Sequence, residues 1–264
     1  MSEVNYKVES NICWIGLNRP DASNAFSDQM IVELCNSLRE ADQDDDVRVI
    51  VIYGEGKSFC AGGDVKAMKN KSGMFAGESE HLRQLYRNGI QNIPKTMEAI
   101  QKPTIAMVNG AAIGAGCDFS CMADIRIASD KAKFGETFVK LGLVPGDGGT
   151  YFLSRVVGYS KACEMFFTGQ ILNAQEALSI GLVSRVVEHE QLKEETLKVA
   201  NMIASNAPIA LRMTKKALKD AQRAQLENHL ELLASFQGIT QRTSDHFEGV
   251  NALLEKRKAN FSGQ

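Results

Sequence analysis

VIVIYG at residues 49–54 leads through a short link into FCAGGD at residues 59–64. The same construction returns as TIAMVNG at residues 104–110, followed by IGAGCD at residues 113–118. In both places an apolar strand pattern runs into a glycine-rich turn, and an acidic residue opens the predicted helix. Glycine lets backbone N–H groups approach a ligand closely, and a helix N-terminus adds a partial positive charge. Two such turns side by side would direct two N–H donors at one oxygen atom, as in an oxyanion hole.

The flanking sequence predicts an α/β core followed by helices. Residues 6–17 alternate as a hairpin does, and residues 26–41 have the spacing of an amphipathic helix with Ser27 as its N-cap. The polar, glycine-containing stretch at residues 66–89 predicts a mobile segment, and residues 68–85 within it are expected to wall a ligand, with an ordinary surface helix and loop as the alternative. Beyond about residue 151 the apolar spacing is helical.

Composition and charge exclude several classes of protein. The chain has 264 residues, a net charge of −2 and a pI near 6.1, so neither a nucleic-acid-binding field nor a polybasic membrane patch is expected. No long apolar run or secretory leader pattern is present, which predicts a cytoplasmic protein. The six cysteines are dispersed and read as buried free thiols rather than as disulfides or a metal site.

Three runs of sequence, at residues 58–66, 108–118 and 142–150, resemble the enoyl-CoA hydratase/isomerase (crotonase) family. They keep the order of the family's motifs, and the likeness continues to EKRKANF at residues 255–261. The resemblance implies an acyl-CoA thioester as the substrate, with no metal or redox cofactor.

The same resemblance implies the fold class and the assembly. The expected α/β fold is a spiral of ββα repeats over residues 1–200, which holds the thioester site. A C-terminal helical region over residues 201–264 is expected to join subunits into a homotrimer or a hexamer made of two trimers.

The family's oxyanion-hole N–H groups fall on Ala61 and Ala115 by resemblance. Two carboxylates are candidates for proton transfer. Asp118 stands where family hydratases carry their first glutamate, and Asp147 lies in the PGDGG loop, from which some members supply an aspartate. The family's second glutamate position is Phe138, which cannot carry a proton. We expect nearby Glu136 to lie on the surface or behind the site.

Each acidic candidate has a simpler interpretation. Asp118 could merely cap its helix, and Asp147 could be a solvated turn residue between glycines. The resemblance also implies a group of residues that contact the substrate or its CoA moiety. These are Ala22, Ala25, Gly62, Gly63, Asp64, Lys66, Gly114, Phe138 and Lys256.

The predicted activity is hydration of trans-2-enoyl-CoA to 3-hydroxyacyl-CoA. Movement of a double bond in enoyl- or dienoyl-CoA is the alternative, and an acyl-CoA binder without catalysis is the third candidate. A P-loop is excluded because the required first glycine is Val51, and a GxSxG hydrolase motif is excluded because its last position is Ala162.

Overall fold

A computed structural model describes residues 2–264, which form two β-sheets wrapped by helices. The strands are β1 Val4–Glu9, β2 Ile12–Leu17, β3 Val49–Gly54, β4 Ser58–Cys60, β5 Thr104–Val108, β6 Ala111–Ile113, β7 Ile125–Ser129, β8 Lys133–Gly135, β9 Ile171–Asn173 and β10 Arg185–Val187. The first nine helices are α1 Asp28–Gln43, α2 Val65–Lys69, α3 Ser79–Asn88, α4 Asn92–Ala99, α5 Ala115–Met122, α6 Gly149–Val157, α7 Tyr159–Thr168, α8 Ala174–Ser179 and α9 Leu192–Ala204. The last three are α10 Pro208–Ala221, α11 Leu226–Thr240 and α12 Ser244–Glu255.

The larger sheet has the order β1-β2-β3-β5-β7-β10, and the smaller has the order β4-β6-β8-β9. Strands β3, β5 and β7 are parallel neighbours in the larger sheet, and β4, β6 and β8 are parallel neighbours in the smaller one. The chain therefore adds one strand to each sheet in every turn, which is the spiral that the sequence predicted.

The larger sheet is covered on both faces, which explains its nearly continuous apolar strands. One face packs on a core that includes Met30, Leu34 and Leu38 of α1. The other face packs on α9 through Val199 and Ala200. Helix α9 thus continues past residue 200, and the division of the chain at that position stays a prediction.

Several local expectations are confirmed. The hairpin is β1–β2, and the Ser27 hydroxyl caps α1 by accepting a hydrogen bond from the Met30 N–H. The cysteines are free, and all but half-buried Cys163 are buried. The stretch at residues 66–89 holds most of α2 and all of α3, and its mobility stays a prediction. No helix within residues 2–264 is long and apolar enough to cross a membrane.

Candidate active site

The two glycine-rich turns contact each other at the ends of β4 and β6. A Cβ atom on Gly62 would lie 2.6 Å from the Ile113 carbonyl oxygen and 3.1 Å from the Ala115 nitrogen. Gly62 and Gly114 have φ angles of +87° and +54°, values that glycine adopts at little cost. In the first turn the backbone N–H of Gly63 follows Gly62. In the second turn the backbone N–H of Ala115 follows Gly114.

The hydrogen bonds of the two turns identify which amides are free. The Ala61 N–H donates to the Ser23 carbonyl oxygen at 2.9 Å, so the prediction that Ala61 contributes to the oxyanion hole is wrong. Across residues 2–264, no acceptor takes the N–H of Gly63 or Ala115. The sequence predicted Gly63 only as a substrate contact. The unused pair is therefore Gly63 and Ala115, one from each turn.

Asp118 is fully buried in the first turn of α5. Neither of its carboxyl oxygens accepts a hydrogen bond from an N–H or hydroxyl group in the described chain. Gly114 occupies the N-cap position, so Asp118 is not a helix cap. The Asp118 carboxyl fills the space that a side chain on Gly149 would need. A Cβ atom on Gly149 would lie 1.8 Å from Asp118 Oδ1.

Asp147 lies just before α6 and is only 4% exposed, so the solvated-turn interpretation is wrong. The Gln91 side chain fixes the loop by donating to the Gly146 carbonyl oxygen at 2.8 Å. Asp118 lies within hydrogen-bond reach of Asp147. The structure thus brings both predicted carboxyls together in one buried place.

Of the two positions expected for Glu136, the surface one is wrong. It is fully buried, and it lies within hydrogen-bond reach of Asp118. β8 ends at Gly135, and the chain then enters a 3₁₀ turn at Thr137–Leu141. Phe138 lies in that turn with its ring 3.7 Å from where a Gly114 Cβ would be, so it faces the second glycine turn.

Burial dominates the electrostatics of these three carboxyls. It raises the pKa of Asp118 well above its ordinary value, and the neighbouring Asp147 and Glu136 raise it further. Burial also raises the pKa of Asp147, and it raises the pKa of Glu136 to about 8. A buried carboxyl that holds its proton near neutral pH can act as an acid or a base.

Hydrophobic and aromatic side chains surround the free amides and carboxyls. A Cβ on Gly63 would lie 2.5 Å from the Met68 methyl and 3.3 Å from the Phe75 ring. A Cβ on Gly146 would lie 2.7 Å from the Tyr86 ring. The segment predicted to wall the ligand therefore reaches the site from α2 and α3.

The residues predicted to meet CoA are placed in different ways. The segment with Ala22 and Ala25 adjoins the first glycine turn, and the Ala25 carbonyl oxygen accepts from Arg19 at 2.5 Å. Asp64 caps α2. The pKa of Asp64 is lowered, and the largest cause is the hydrogen bond that its carboxyl accepts from the Ala67 N–H. Lys66 and Lys256 are both exposed.

A cavity of about 650 Å³ lies away from these groups, under α10. Lys215 and Leu218 of that helix and Arg223 just after it are among its lining residues, whereas no member of the carboxyl cluster lines it. Within residues 2–264, no group of His, Cys, Asp and Glu side chains has the arrangement of a metal site.

Comparisons with known proteins show the family to which the chain belongs. The family model described as enoyl-CoA hydratase/isomerase matches residues 7–264. A crotonyl-CoA hydratase of Syntrophomonas wolfei is 39% identical over 96% of this chain and 95% of its own length. A 1,2-epoxyphenylacetyl-CoA isomerase of Escherichia coli is 33% identical over 97% of both chains. The crystal structure of an enoyl-CoA hydratase from Bacillus anthracis has a TM-score of 0.91 at 33% identity, over 99% of this chain and 100% of that one. The chain belongs to the enoyl-CoA hydratase/isomerase family.

Proposed function

We propose that this protein adds water to trans-2-enoyl-CoA thioesters and forms 3-hydroxyacyl-CoA, in the degradation of fatty acids or related acyl groups. One observation carries the proposal. Two unused amides, on Gly63 and Ala115, each follow a positive-φ glycine in touching turns, and a buried pair of carboxyls adjoins the second turn.

The amides act on the thioester oxygen. When an oxygen nucleophile attacks the β-carbon, the double-bond electrons move toward the carbonyl and negative charge grows on its oxygen. The N–H groups of Gly63 and Ala115 are free to donate to that oxygen. One such donor typically lowers the barrier by about 3–4 kcal/mol.

The carboxyls move the protons. Asp147 takes a proton from water as the water oxygen bonds to the β-carbon, and Asp118 gives its proton to the α-carbon as the enolate collapses. The proton on Asp147 then passes to Asp118 through the contact between them, which restores the starting state. Water and two carboxyls complete the cycle, so the proposal needs no metal or redox cofactor, and CoA is part of the substrate.

The remaining contacts stay predictions. Lys66 and Lys256 are proposed to meet the CoA phosphates, and the segment of Ala22 and Ala25 to adjoin the adenine. A homotrimer or hexamer is proposed from the apolar side chains that α11 and α12 expose, and sedimentation velocity tests it. These side chains include Leu226, Leu230, Ile239, Phe247, Leu253 and Leu254. The cytoplasmic location is likewise a prediction.

Double-bond isomerisation is the second candidate, because Phe138 stands where the resemblance implies the family's second proton-carrying glutamate. A single carboxyl could then remove a proton from one carbon and return it to another. The isomerase-named relative from Escherichia coli also favours testing it.

The test follows loss of the conjugated thioester absorbance of crotonyl-CoA, with product analysis for 2-enoyl, 3-enoyl and 3,5-dienoyl thioesters. Hydration predicts catalytic loss of absorbance and a 3-hydroxyacyl product. Asp118→Asn and Asp147→Asn should each lower kcat by about 100-fold or more. Wild-type turnover in both folded variants would refute the assigned roles, and a stoichiometric spectral change would indicate a binder without catalysis.

A further inference from the structure

A third carboxyl lies against the proposed catalytic pair. Glu136 is 0% exposed, and neither of its carboxyl oxygens accepts a hydrogen bond from an N–H or hydroxyl group within residues 2–264. The groups in hydrogen-bond reach of it are the carboxyl of Asp118 and the thiol of Cys117. A buried polar side chain without ordinary partners needs an explanation.

The three carboxyls form a row with Asp118 in the middle, since Asp118 reaches both Glu136 and Asp147. Two carboxyls can form a hydrogen bond only when one of them carries a proton. Two contacts in a row therefore require two protons, which leaves one negative charge among three groups. Two charges 4 Å apart already repel by about 4 kcal/mol at a typical effective protein dielectric, so fuller ionisation is unfavourable.

The single charge belongs on Asp147. It is the most exposed of the three, at 4%, and it lies directly before the N-terminus of α6, whose dipole favours an anion. Asp118 then donates its proton toward Asp147. That arrangement leaves one Asp118 oxygen to accept a hydrogen bond, and Glu136 is the carboxyl that can donate it.

We propose that Glu136 is a positioning residue whose protonated carboxyl donates a hydrogen bond to Asp118 and keeps the Asp118 proton directed at Asp147. The inference rests on the proposed function, because it assumes that Asp118 and Asp147 transfer the protons. Glu136 has no exposed surface, and its proposed role is exercised through Asp118.

The surroundings agree with a neutral Glu136. Burial is the largest influence, and the pKa of Glu136 is raised to about 8; Cys121 and Asp147 add to the rise, whereas the contacts with Cys117 and Asp118 lower this pKa. The titratable groups that face the cluster are carboxyls, thiols and a phenol. They are Asp118, Asp147, Cys117 and Cys121 around Glu136, with Cys60 and Tyr86 on the far side facing Asp147. Above about pH 8 Glu136 loses its proton, and the Asp118 proton is drawn away from Asp147.

The decisive variant is Glu136→Gln, whose amide can donate to Asp118 but cannot ionise. The measurement is kcat for crotonyl-CoA from about pH 6 to about pH 9. The wild type should lose activity on the alkaline side. Glu136→Gln should stay within about threefold of wild type at neutral pH and lack that alkaline fall.

Two kinetic outcomes overturn the inference. Loss of activity at every pH, with the fold intact, would mean that Glu136 itself must ionise or exchange a proton. An alkaline fall identical to that of the wild type would mean that Glu136 does not control Asp118.

Infrared spectroscopy separates this inference from the proposed function because it needs no turnover. Glu136→Gln should remove one protonated-carboxyl band at neutral pH. The control Asp245→Asn, a change at a distant buried carboxyl that accepts bonds from backbone N–H groups, should leave that band unchanged. If the wild-type protein shows this band but has no hydratase activity, the proposed function is refuted and the protonation of Glu136 is not.

The wild-type spectrum decides even if Glu136→Gln does not fold. A protonated-carboxyl band that disappears near pH 8 is expected from the raised pKa of Glu136. Its absence at neutral pH refutes the positioning role.

Discussion

Replacement of Gly149 by alanine tests the position of Asp118 without touching its chemistry. The new Cβ would lie 1.8 Å from Asp118 Oδ1 and 2.1 Å from its Cγ. Nonbonded carbon atoms rest about 3.5 Å apart, so the carboxyl must move by more than about 1 Å. Because Asp118 has to reach Asp147, Glu136 and the substrate from one place, this displacement should disrupt proton transfer.

The expected loss in kcat is about 100-fold, or about 2.7 kcal/mol, which is typical of a 1 Å misplacement in an active site. Overpacking should cost about 1–3 kcal/mol of stability. Gly149 does not have a positive φ angle, and alanine is the better helix former, so backbone strain does not contribute. The loss should therefore arise from the displaced carboxyl.

The assay combines crotonyl-CoA hydration with thermal melting. Gly238→Ala is the matched control, because Gly238 lies in α11 and no atom lies within 4 Å of the added methyl. It should keep wild-type kcat and be as stable as the wild type or slightly more so. Wild-type kcat in folded Gly149→Ala would show that the Asp118 carboxyl is not needed where the structure places it.

Three further predictions concern the turn, the titration and the attachment of α10. Gly62→Ala should lower both Tm and kcat, because φ is +87° and the new methyl would meet the Ile113 carbonyl oxygen at 2.6 Å; an unchanged melting curve contradicts this. The ordinary pKa of Glu136 is 4.5 and its folded value is about 8, so its stabilising contribution is complete below pH 4.5 and is lost as pH rises through about 8. The free energy of unfolding should fall by about 1.4 kcal/mol per pH unit from this group, and urea melts of Glu136→Gln should show a shallower fall; equal slopes refute the shift. Lys215→Ala should cost about 1–3 kcal/mol, because buried Nζ bonds to the Lys102 carbonyl oxygen at 2.8 Å and to Asp124 at 2.7 Å; an unchanged urea midpoint would show that these bonds do not hold α10.

Much of the fold follows from local sequence signals. The hairpin, the capped helix α1 and the two glycine turns lie where alternation, capping residues and glycine spacing predict them. The short strands β9 and β10 were not predicted in the helical second half of the chain. Each has three residues and depends on pairing with β8 or β7, a contact that a local pattern does not reveal.

The errors in the site have a similar cause. Ala61 and Gly63 are two residues apart in one turn, and only the carbonyl of distant Ser23 decides which amide is used. The sequence left Glu136 either on the surface or behind the site, and only the end of β8 at Gly135, where the chain turns inward, decides between these positions. The two consecutive glycines were a signal for the free amide. Gly62 can adopt the positive φ angle that precedes the unused N–H of Gly63.

The site has a common origin in the smaller sheet. β4, β6 and β8 run parallel, with Cys60 beside Ala112 and Ile113 beside Gly135, and a register shift lies between Ser58 and Cys60 of β4. Their carboxyl ends must therefore meet at one edge, and the residues just after each strand bring a separate group there: the Gly63 amide, the Ala115 amide with Asp118, and Glu136. Only Asp147 comes from outside this row, in the loop before α6. Because each turn of the spiral contributes a separate group, changes at Gly62 should weaken oxyanion binding while the carboxyl titration persists. Changes at Gly149 or Glu136 should alter the carboxyl titration while oxyanion binding persists.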